Sequence, residues 1–293
     1  MFRLGYNTNG LAHHRILDAL ELLAELGYEG VAVTPDVGQL DPFRLDPGLV
    51  LEVREAAEEL GLSLAVETGA RFLLDPRRKH YPTLLEQFGV ERQRRVDFLR
   101  RCVDLAVELG AGVVSLWAGR APGGETGDPG SGGDGACEPL WERLCEGLRA
   151  VLAHARESAV QIGFEPEPGM FLERPAGYEE LLRRLGADGA DLGLCLDVGH
   201  LLCTGDLPVE SVVRRYGASL VQVHLDDIAG GRHEHRMFGT GDLDLQKTLN
   251  SLLEVGYRGM AAVELSRDSH RGAEAAEEAM GHLRRALGES VAP

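Results

Sequence analysis

Long apolar runs are missing from the sequence. No stretch of the 293 residues approaches the roughly 20 consecutive apolar residues that a membrane-spanning helix needs, although hydrophobic residues make up 44% of the chain. The first segment, MFRLGYNTNG, also lacks the charged start, the long apolar stretch and the small-residue cleavage site of a secretory signal. We therefore expect a cytoplasmic protein with no membrane partner.

Cysteine and positive charge are both scarce, and each deficit argues against a class of function. The five cysteines are odd in number and show no CxxC spacing, which is typical of reduced thiols rather than of a zinc or redox motif. The chain has 47 acidic residues against 30 basic ones, so its formal net charge is −17. Because such a charge repels phosphate backbones, we expect no nucleic-acid partner.

What the chain does have is one unit that recurs along its length. An amphipathic helical pattern ends in Leu-Gly or Val-Gly, and a short β-branched strand pattern follows it. The strand patterns cover residues 3–7, 30–34, 63–67, 113–117, 161–165, 193–197, 220–224 and 260–264. The helical patterns cover residues 13–26, 47–60, 82–109, 138–157, 176–185, 208–216, 244–255 and 272–287.

Strict alternation of eight strands with eight helices predicts a single (β/α)8 TIM-barrel domain over residues 1–293. The alternative is an open doubly wound sheet, which usually carries a GxGxxG turn after its first strand. The segment GYNTNGL at that place is not such a turn.

Four successive strand patterns in the second half of the chain end in a carboxylate or a histidine. These residues are Glu165, Asp197, His224 and Glu264. The C-terminal ends of parallel strands meet at one face of a barrel, and three carboxylates converging there would repel one another unless a divalent cation lay between them. Three carboxylates with one imidazole suit Mn²⁺, Mg²⁺ or Co²⁺, and Zn²⁺ is an alternative. For each residue taken alone, the alternative is a buried polar group satisfied by nearby backbone.

One segment interrupts the repeat. Residues 119–139 follow the fourth strand pattern and are dense in glycine and proline. In a barrel this loop would overhang the active face, so we interpret it as a lid. A disordered insertion is the alternative, because composition alone does not separate the two.

The motifs LDVGH, VHLDD, GRHEHRMFGTGDLD and the strand-final VEL resemble the xylose-isomerase-like TIM-barrel superfamily. This group includes ketose 3-epimerases, hydroxypyruvate isomerase and inosose dehydratase, with endonuclease IV as a more distant relative. The resemblance covers the whole chain through the recurring unit, while its specific motifs lie between Glu165 and Glu264. It implies metal ligation, with Mn²⁺ favoured, by Glu165, Asp197, His224 and Glu264.

The resemblance also implies a reaction. The metal would hold a substrate carbonyl and the adjacent hydroxyl, while Glu165 or Glu264 removes the proton from the carbon between them to give an enediolate. Return of the proton to the other face gives an epimer, and return to the neighbouring carbon gives an isomer. We therefore predict a metal-dependent isomerase or epimerase of a small sugar, polyol or hydroxy-carbonyl compound. The alternatives are a dehydratase of the inosose dehydratase type and a non-catalytic sugar-binding protein.

Further polar or aromatic residues are candidates for substrate contact, and they are His200, His235, Arg236, Glu167, Trp117 and Asn7. His200 belongs to the DxGH motif, and a structural histidine is its alternative. His235 stands four residues before Gly239, as the equivalent group does in relatives, but His233 and Arg236 compete for the same role. Each of the other three also has an alternative without substrate contact. Glu167 would be an exposed charge on a loop, Trp117 would pack at the barrel rim, and Asn7 would form hydrogen bonds within its own loop.

Two departures from the superfamily pattern narrow the prediction. Endonuclease IV uses histidines at the third and fourth strand ends for its three-metal cluster, where this chain has Glu67 and Trp117. Together with the net charge, this argues against a nuclease and favours a single ion. The sequence shows no lysine/arginine cluster and no Gly-rich phosphate turn near the expected mouth, but it does not exclude a phosphorylated substrate. Relatives are often dimers or tetramers, so the resemblance also leaves a homo-oligomer open.

Overall fold

The computed structural model describes residues 1–69, 71–130 and 137–288. In these ranges eight parallel strands pair in chain order and close into one barrel, the last strand pairing with the first. The strands are β1 Arg3–Asn7, β2 Gly30–Val33, β3 Ser63–Glu67, β4 Val113–Leu116, β5 Gln161–Phe164, β6 Leu192–Asp197, β7 Leu220–Leu225 and β8 Met260–Val263. Nearly every strand residue is buried, as expected for a parallel sheet covered by helices. The predicted single-domain (β/α)8 TIM barrel is confirmed.

Nine α-helices lie within the described ranges and surround the barrel. They are α1 Ile16–Leu26, α2 Pro47–Glu59, α3 Gly89–Leu109, α4 Glu138–Glu157, α5 Pro175–Leu185, α6 Val198–Thr204, α7 Val209–Tyr216, α8 Leu245–Glu254 and α9 Gly272–Ala286. Gly27 and Gly110 end α1 and α3 with φ of 91° and 70°, which is the left-handed cap that the Leu-Gly pattern predicts. Among the described residues, no helix combines the length and the apolar character needed to cross a bilayer.

Helices α3 and α6 differ most from the sequence prediction. Helix α3 begins at Gly89 and not at residue 82, because the Thr83 hydroxyl accepts a hydrogen bond from the Leu85 amide at 3.2 Å and turns the chain locally. Leu84 and Leu85 are buried in the core from this turn. Helix α6 has no counterpart among the predicted helices, since its seven residues are too few for a clear periodicity.

The barrel interior near the N-terminal ends of the strands is filled by a methionine, which packs against glycines of neighbouring strands. A Cβ added at Gly5 or Gly30 would lie 2.6 Å from the Met260 side chain. Met260 forms a small cluster with Ala32, Ala65 and Ala262 that is separate from the main core. Because this packing fills the interior near the strand starts, the polar groups collect at the opposite, C-terminal mouth.

The glycine- and proline-rich segment packs against the β5–α5 loop where the structure describes it. The Gly127 amide donates to the Phe171 carbonyl at 2.7 Å, and the Asp128 carboxylate accepts from the Glu173 amide at 3.0 Å. Residues 131–136 lie outside the described ranges. No described residue of 119–139 lines the cavity at the barrel mouth, and the lid interpretation stays a prediction.

Candidate active site and metal centre

The four strand-end residues converge at the C-terminal mouth of the barrel. Glu165 and Glu264 directly follow β5 and β8, Asp197 ends β6, and His224 is the penultimate residue of β7. One ligand atom from each lies within 4.8 Å of the ligand atoms of the other three. The side chains of Glu165, Asp197 and His224 are at most 5% exposed, and that of Glu264 is 13% exposed. The four residues that the sequence singles out by their positions at strand ends therefore form a compact cluster of three carboxylates and one imidazole in the fold.

The contacts inside this cluster fix the orientation of Glu264. Its two oxygens accept hydrogen bonds from the amides of Asn7 at 3.0 Å and Asn9 at 2.9 Å. His224 Nδ1 lies 3.1 Å from Glu165 Oε1 and 3.2 Å from Glu264 Oε2, so the imidazole sits between the two glutamates. Both carboxylates therefore face one small volume from different sides.

The residues present fit a divalent cation at this place. Asp197 Oδ2 is buried and has no hydrogen-bond partner among the described residues, a state that costs free energy and that a cation would relieve. The buried Gln222 amide lies 3.0 Å from His224 Nε2, and its oxygen is without a partner within the described ranges. Turned over, this amide would accept from an Nε2–H and leave Nδ1 unprotonated, as a ligating histidine requires. Three carboxylates with one imidazole form a donor set for Mn²⁺, Mg²⁺ or Co²⁺.

The electrostatics of the cluster show crowded carboxylates. Burial first, and neighbouring carboxylates second, raise the pKa of Asp197 and Glu167 well above the ordinary value and that of Glu67 to about 7. Burial would also raise the pKa of Glu264, but the nearby histidines His235, His224 and His200 together outweigh it and hold the pKa of Glu264 below its usual range. A bound cation would favour the ionised form of every one of these groups.

The cluster opens into a cavity of about 380 Å³. Of the predicted substrate-contact residues, His200, His235, Glu167 and Trp117 line it. A cavity of about 630 Å³ lies elsewhere, between α4, α5 and the starts of β5 and β6, but its Arg156 and Asp191 pair with each other at 2.8 Å. The converging polar groups therefore make the mouth the candidate functional site.

Two predicted contact residues are not brought to the cavity. Arg236 turns its guanidinium to Glu234 at 2.6 Å, and its backbone pairs with Asp227 as an isolated bridge. Asn7 reaches the site only through its hydrogen bond to Glu264. Of the three competing loop groups, His233 and His235 line the cavity and Arg236 does not.

The histidines on the cavity wall form a linked group. The His200 Nδ1–H donates to the Pro166 carbonyl at 3.1 Å, which leaves Nε2 to accept from the His233 Nε2–H at 3.0 Å. His235 Nδ1 lies 2.7 Å from Asp226 Oδ2, and burial lowers the pKa of His200 well below its usual value. Nitrogen atoms of these three imidazoles also lie within 4.8 Å of one another. The wall thus presents two imidazoles, His200 and His233, whose pKa burial lowers. Burial would also lower the pKa of His235, but the carboxylates of Asp226 and Glu264 raise it well above its usual value.

Sequence reasoning missed several residues of this site. Asp226 stands inside the quoted VHLDD motif, and its position two residues after His224 was the available signal. The cavity is also lined by Arg71, Lys79 and Arg267, so the expectation of no basic cluster near the mouth is wrong. These cations lie far apart in the sequence, on the β3–α3 and β8–α9 loops, so only the closed barrel brings them to one rim.

The fold and the site define a TIM barrel whose polar residues gather at the C-terminal mouth, with a cavity of small-molecule size. The chain belongs to the xylose isomerase-like TIM barrel family, whose model matches residues 20–286. The resemblance noted from the motifs is therefore confirmed.

Individual relatives include both dehydratases and epimerases. The 3-dehydroshikimate dehydratase of Pseudomonas aeruginosa is 28% identical over 278 residues, which cover 92% of this chain and 39% of the relative. This chain thus spans well under half of that enzyme's length. Fructoselysine 3-epimerase of Shigella flexneri is 23% identical over 271 residues, covering 90% of this chain and 88% of the relative. The solved structure of L-ribulose 3-epimerase has a TM-score of 0.76 at 18% identity, covers 98% of this chain and 95% of that one, and shows likeness of fold alone.

Proposed function

We propose that this protein is a divalent-metal-dependent isomerase or epimerase of a small hydroxy-ketone, with Mn²⁺ as the favoured metal. The observation that carries the proposal is the convergence of ligand atoms from Glu165, Asp197, His224 and Glu264 within 4.8 Å. The two glutamates also line the cavity in which a substrate would lie. The fructoselysine 3-epimerase relative supports the same reaction class.

The protein groups have separable roles in this mechanism. A bound cation would supply positive charge that stabilises the developing oxyanion of the substrate. Glu264, held at both oxygens by Asn7 and Asn9, is oriented to take a proton from the carbon beside the carbonyl. Glu165 approaches from across the His224 ring and is placed to return a proton to the opposite face. Asp197 and His224 need only ligate.

A dehydratase is the second candidate, and the 3-dehydroshikimate dehydratase relative favours it. It would begin with the same proton abstraction but expel a β-hydroxyl, which needs a proton donor on the departing oxygen. His235 lines the cavity where such a donor is required; burial would lower its pKa, but the carboxylates of Asp226 and Glu264 raise it well above its usual value.

Solvent isotope incorporation tests both candidates. The protein, loaded in turn with Mn²⁺, Mg²⁺, Co²⁺ or Zn²⁺, is incubated with candidate hydroxy-ketones in heavy water and followed by NMR. Deuterium in an epimer or isomer supports the first proposal, and loss of water supports the second. A melting temperature that does not respond to any of the four metals would argue against the metal centre independently of turnover.

A further inference from the structure

Three cationic side chains line the mouth of an otherwise acidic cavity. They are Arg71 and Lys79 of the β3–α3 loop and Arg267 of the β8–α9 loop. None of the three forms an ion pair with a carboxylate in the part of the chain that the structure describes. In a protein with a net charge of −17, unpaired cations at one rim need a reason beyond general surface charge.

The contacts of the rim cations place them close to the carboxylate cluster. The Arg71 guanidinium donates to the Asn9 carbonyl at 3.1 Å, and the Asn9 side chain in turn holds Glu264. Arg267 stands three residues after Glu264 and reaches the His233 carbonyl at 3.4 Å. One small molecule could therefore touch the rim and the cluster at once.

A fourth cation lies behind the cavity wall. Arg95 of α3 is fully buried, and its guanidinium stacks 4.3 Å from the centre of the Trp117 ring. Its three nitrogens have no hydrogen-bond partner among the described residues. Trp117 separates it from the cavity, so Arg95 adds positive potential to that wall without touching the contents.

We propose that the rim of Arg71, Lys79 and Arg267 binds an anionic group of the substrate, a carboxylate or a phosphate monoester. The substrate class is then an anionic hydroxy-ketone whose carbonyl end reaches the carboxylate cluster, an assignment that rests on the proposed function. A neutral sugar needs hydroxyl partners and gains little from unpaired cations, whereas an anion entering a carboxylate-lined cavity needs them to offset repulsion.

Calorimetric binding to the Mn²⁺-loaded protein tests the rim without requiring turnover. The probes are 5-keto-D-gluconate, D-fructose 6-phosphate, inorganic phosphate and neutral D-fructose. The variants are Lys79→Gln and Arg267→Gln, both at exposed side chains, and the matched control is Arg77→Gln, an exposed arginine that does not line the cavity. We expect each rim variant to weaken binding of the anionic probe by about tenfold and to leave D-fructose within about twofold, with the control unchanged.

The pattern across probes separates the sources of the anion. Tight binding of 5-keto-D-gluconate alone identifies a carboxylate, and binding of D-fructose 6-phosphate together with inorganic phosphate identifies a phosphate monoester. Equal affinity of the unmodified protein for D-fructose and the anionic probes, or equal loss for both in the rim variants, overturns the rim proposal.

A turnover assay distinguishes failure of the rim proposal from failure of the proposed function. Unchanged kcat/KM for deuterium exchange of the anionic 5-keto-D-gluconate in both rim variants would reject the rim and leave the isomerase standing. Anion binding that depends on the rim, with no exchange in any hydroxy-ketone, would reject the isomerase and retain the rim.

Discussion

Replacement of Glu264 by glutamine perturbs the site at one atom and tests both of its proposed roles. The variant keeps the shape of the side chain but loses the charge, and its new amide nitrogen would face one of the two amides of Asn7 and Asn9 that now donate to the carboxylate. One lost hydrogen bond costs about 1–3 kcal/mol when a buried donor is left unpaired. Relief of repulsion from neighbouring carboxylates offsets part of that cost, so we expect the metal-free variant to stay folded.

The effect on metal binding and turnover should be much larger. Metal at a hundred times its dissociation constant stabilises the folded state by about 2.7 kcal/mol, which for a domain of this size is on the order of 5–10 °C in melting temperature. Loss of one of four ligands, with affinity lowered about 100-fold, would reduce that gain to about 0.4 kcal/mol. Removal of the general base should lower kcat by roughly 10²- to 10⁴-fold.

Thermal unfolding with and without Mn²⁺, followed by the deuterium-exchange assay, measures both effects. Glu254→Gln is the control, since it removes an exposed carboxylate that pairs with Arg214 on the protein surface. A Glu264→Gln protein that keeps full exchange activity would refute the role of general base, and one that gains as much melting temperature from Mn²⁺ as the unmodified protein would refute the role of ligand.

Three further predictions use other parts of the structure. His235→Ala should lower turnover by about 10- to 100-fold, while Arg236→Ala should stay within a few-fold, because only His235 lines the cavity; equal steady-state rates would contradict this. Gln222→Leu should weaken Mn²⁺ binding by about tenfold in calorimetry by removing the partner of the His224 ring, and an unchanged affinity would count against that role. Burial raises the pKa of Asp128 to about 6, so the ionised form is disfavoured in the folded state and stability should fall by on the order of 1–3 kcal/mol as pH rises from about 4 to 6. The free energy of unfolding of Asp128→Asn, measured with urea across that pH range, should lack this fall. Identical pH profiles for the variant and the unmodified protein would contradict the assignment to Asp128.

The barrel itself could be predicted from the sequence because its periodic signals are local. Some helices end in a glycine of positive φ, as at Gly27 and Gly110, and the buried strands are short apolar runs. The four ligand candidates could be predicted for the same reason, since each interrupts or follows such a run. The predicted start of α3 was wrong because the Thr83 hydroxyl accepts a hydrogen bond from the backbone there, which the periodic pattern does not reveal.

The rest of the site depends on distances that the sequence does not encode. Arg71 and Arg267 are separated by almost two hundred residues, and only closure of β8 against β1 brings their loops to one rim. Arg236 and His235 are neighbours in the sequence, yet the Asp227 bridge turns one outward while the other faces the cavity. The polar sequence of the loop identifies His235 and Arg236 as candidates for substrate contact, but only the backbone pairing in the fold shows which of them lines the cavity.

The division of the mouth between the two halves of the barrel has a consequence for how such a protein can change. The four clustered donors come from β5 to β8, whereas Arg71, Lys79 and Trp117 come from the ends of β3 and β4. The connection between β3 and α3 supplies none of these four donors, so it can vary while all four are kept. Two of the three cations of the proposed rim, Arg71 and Lys79, thus lie on a connection separate from the four donors, so a change in that connection could alter substrate preference while the donors are kept.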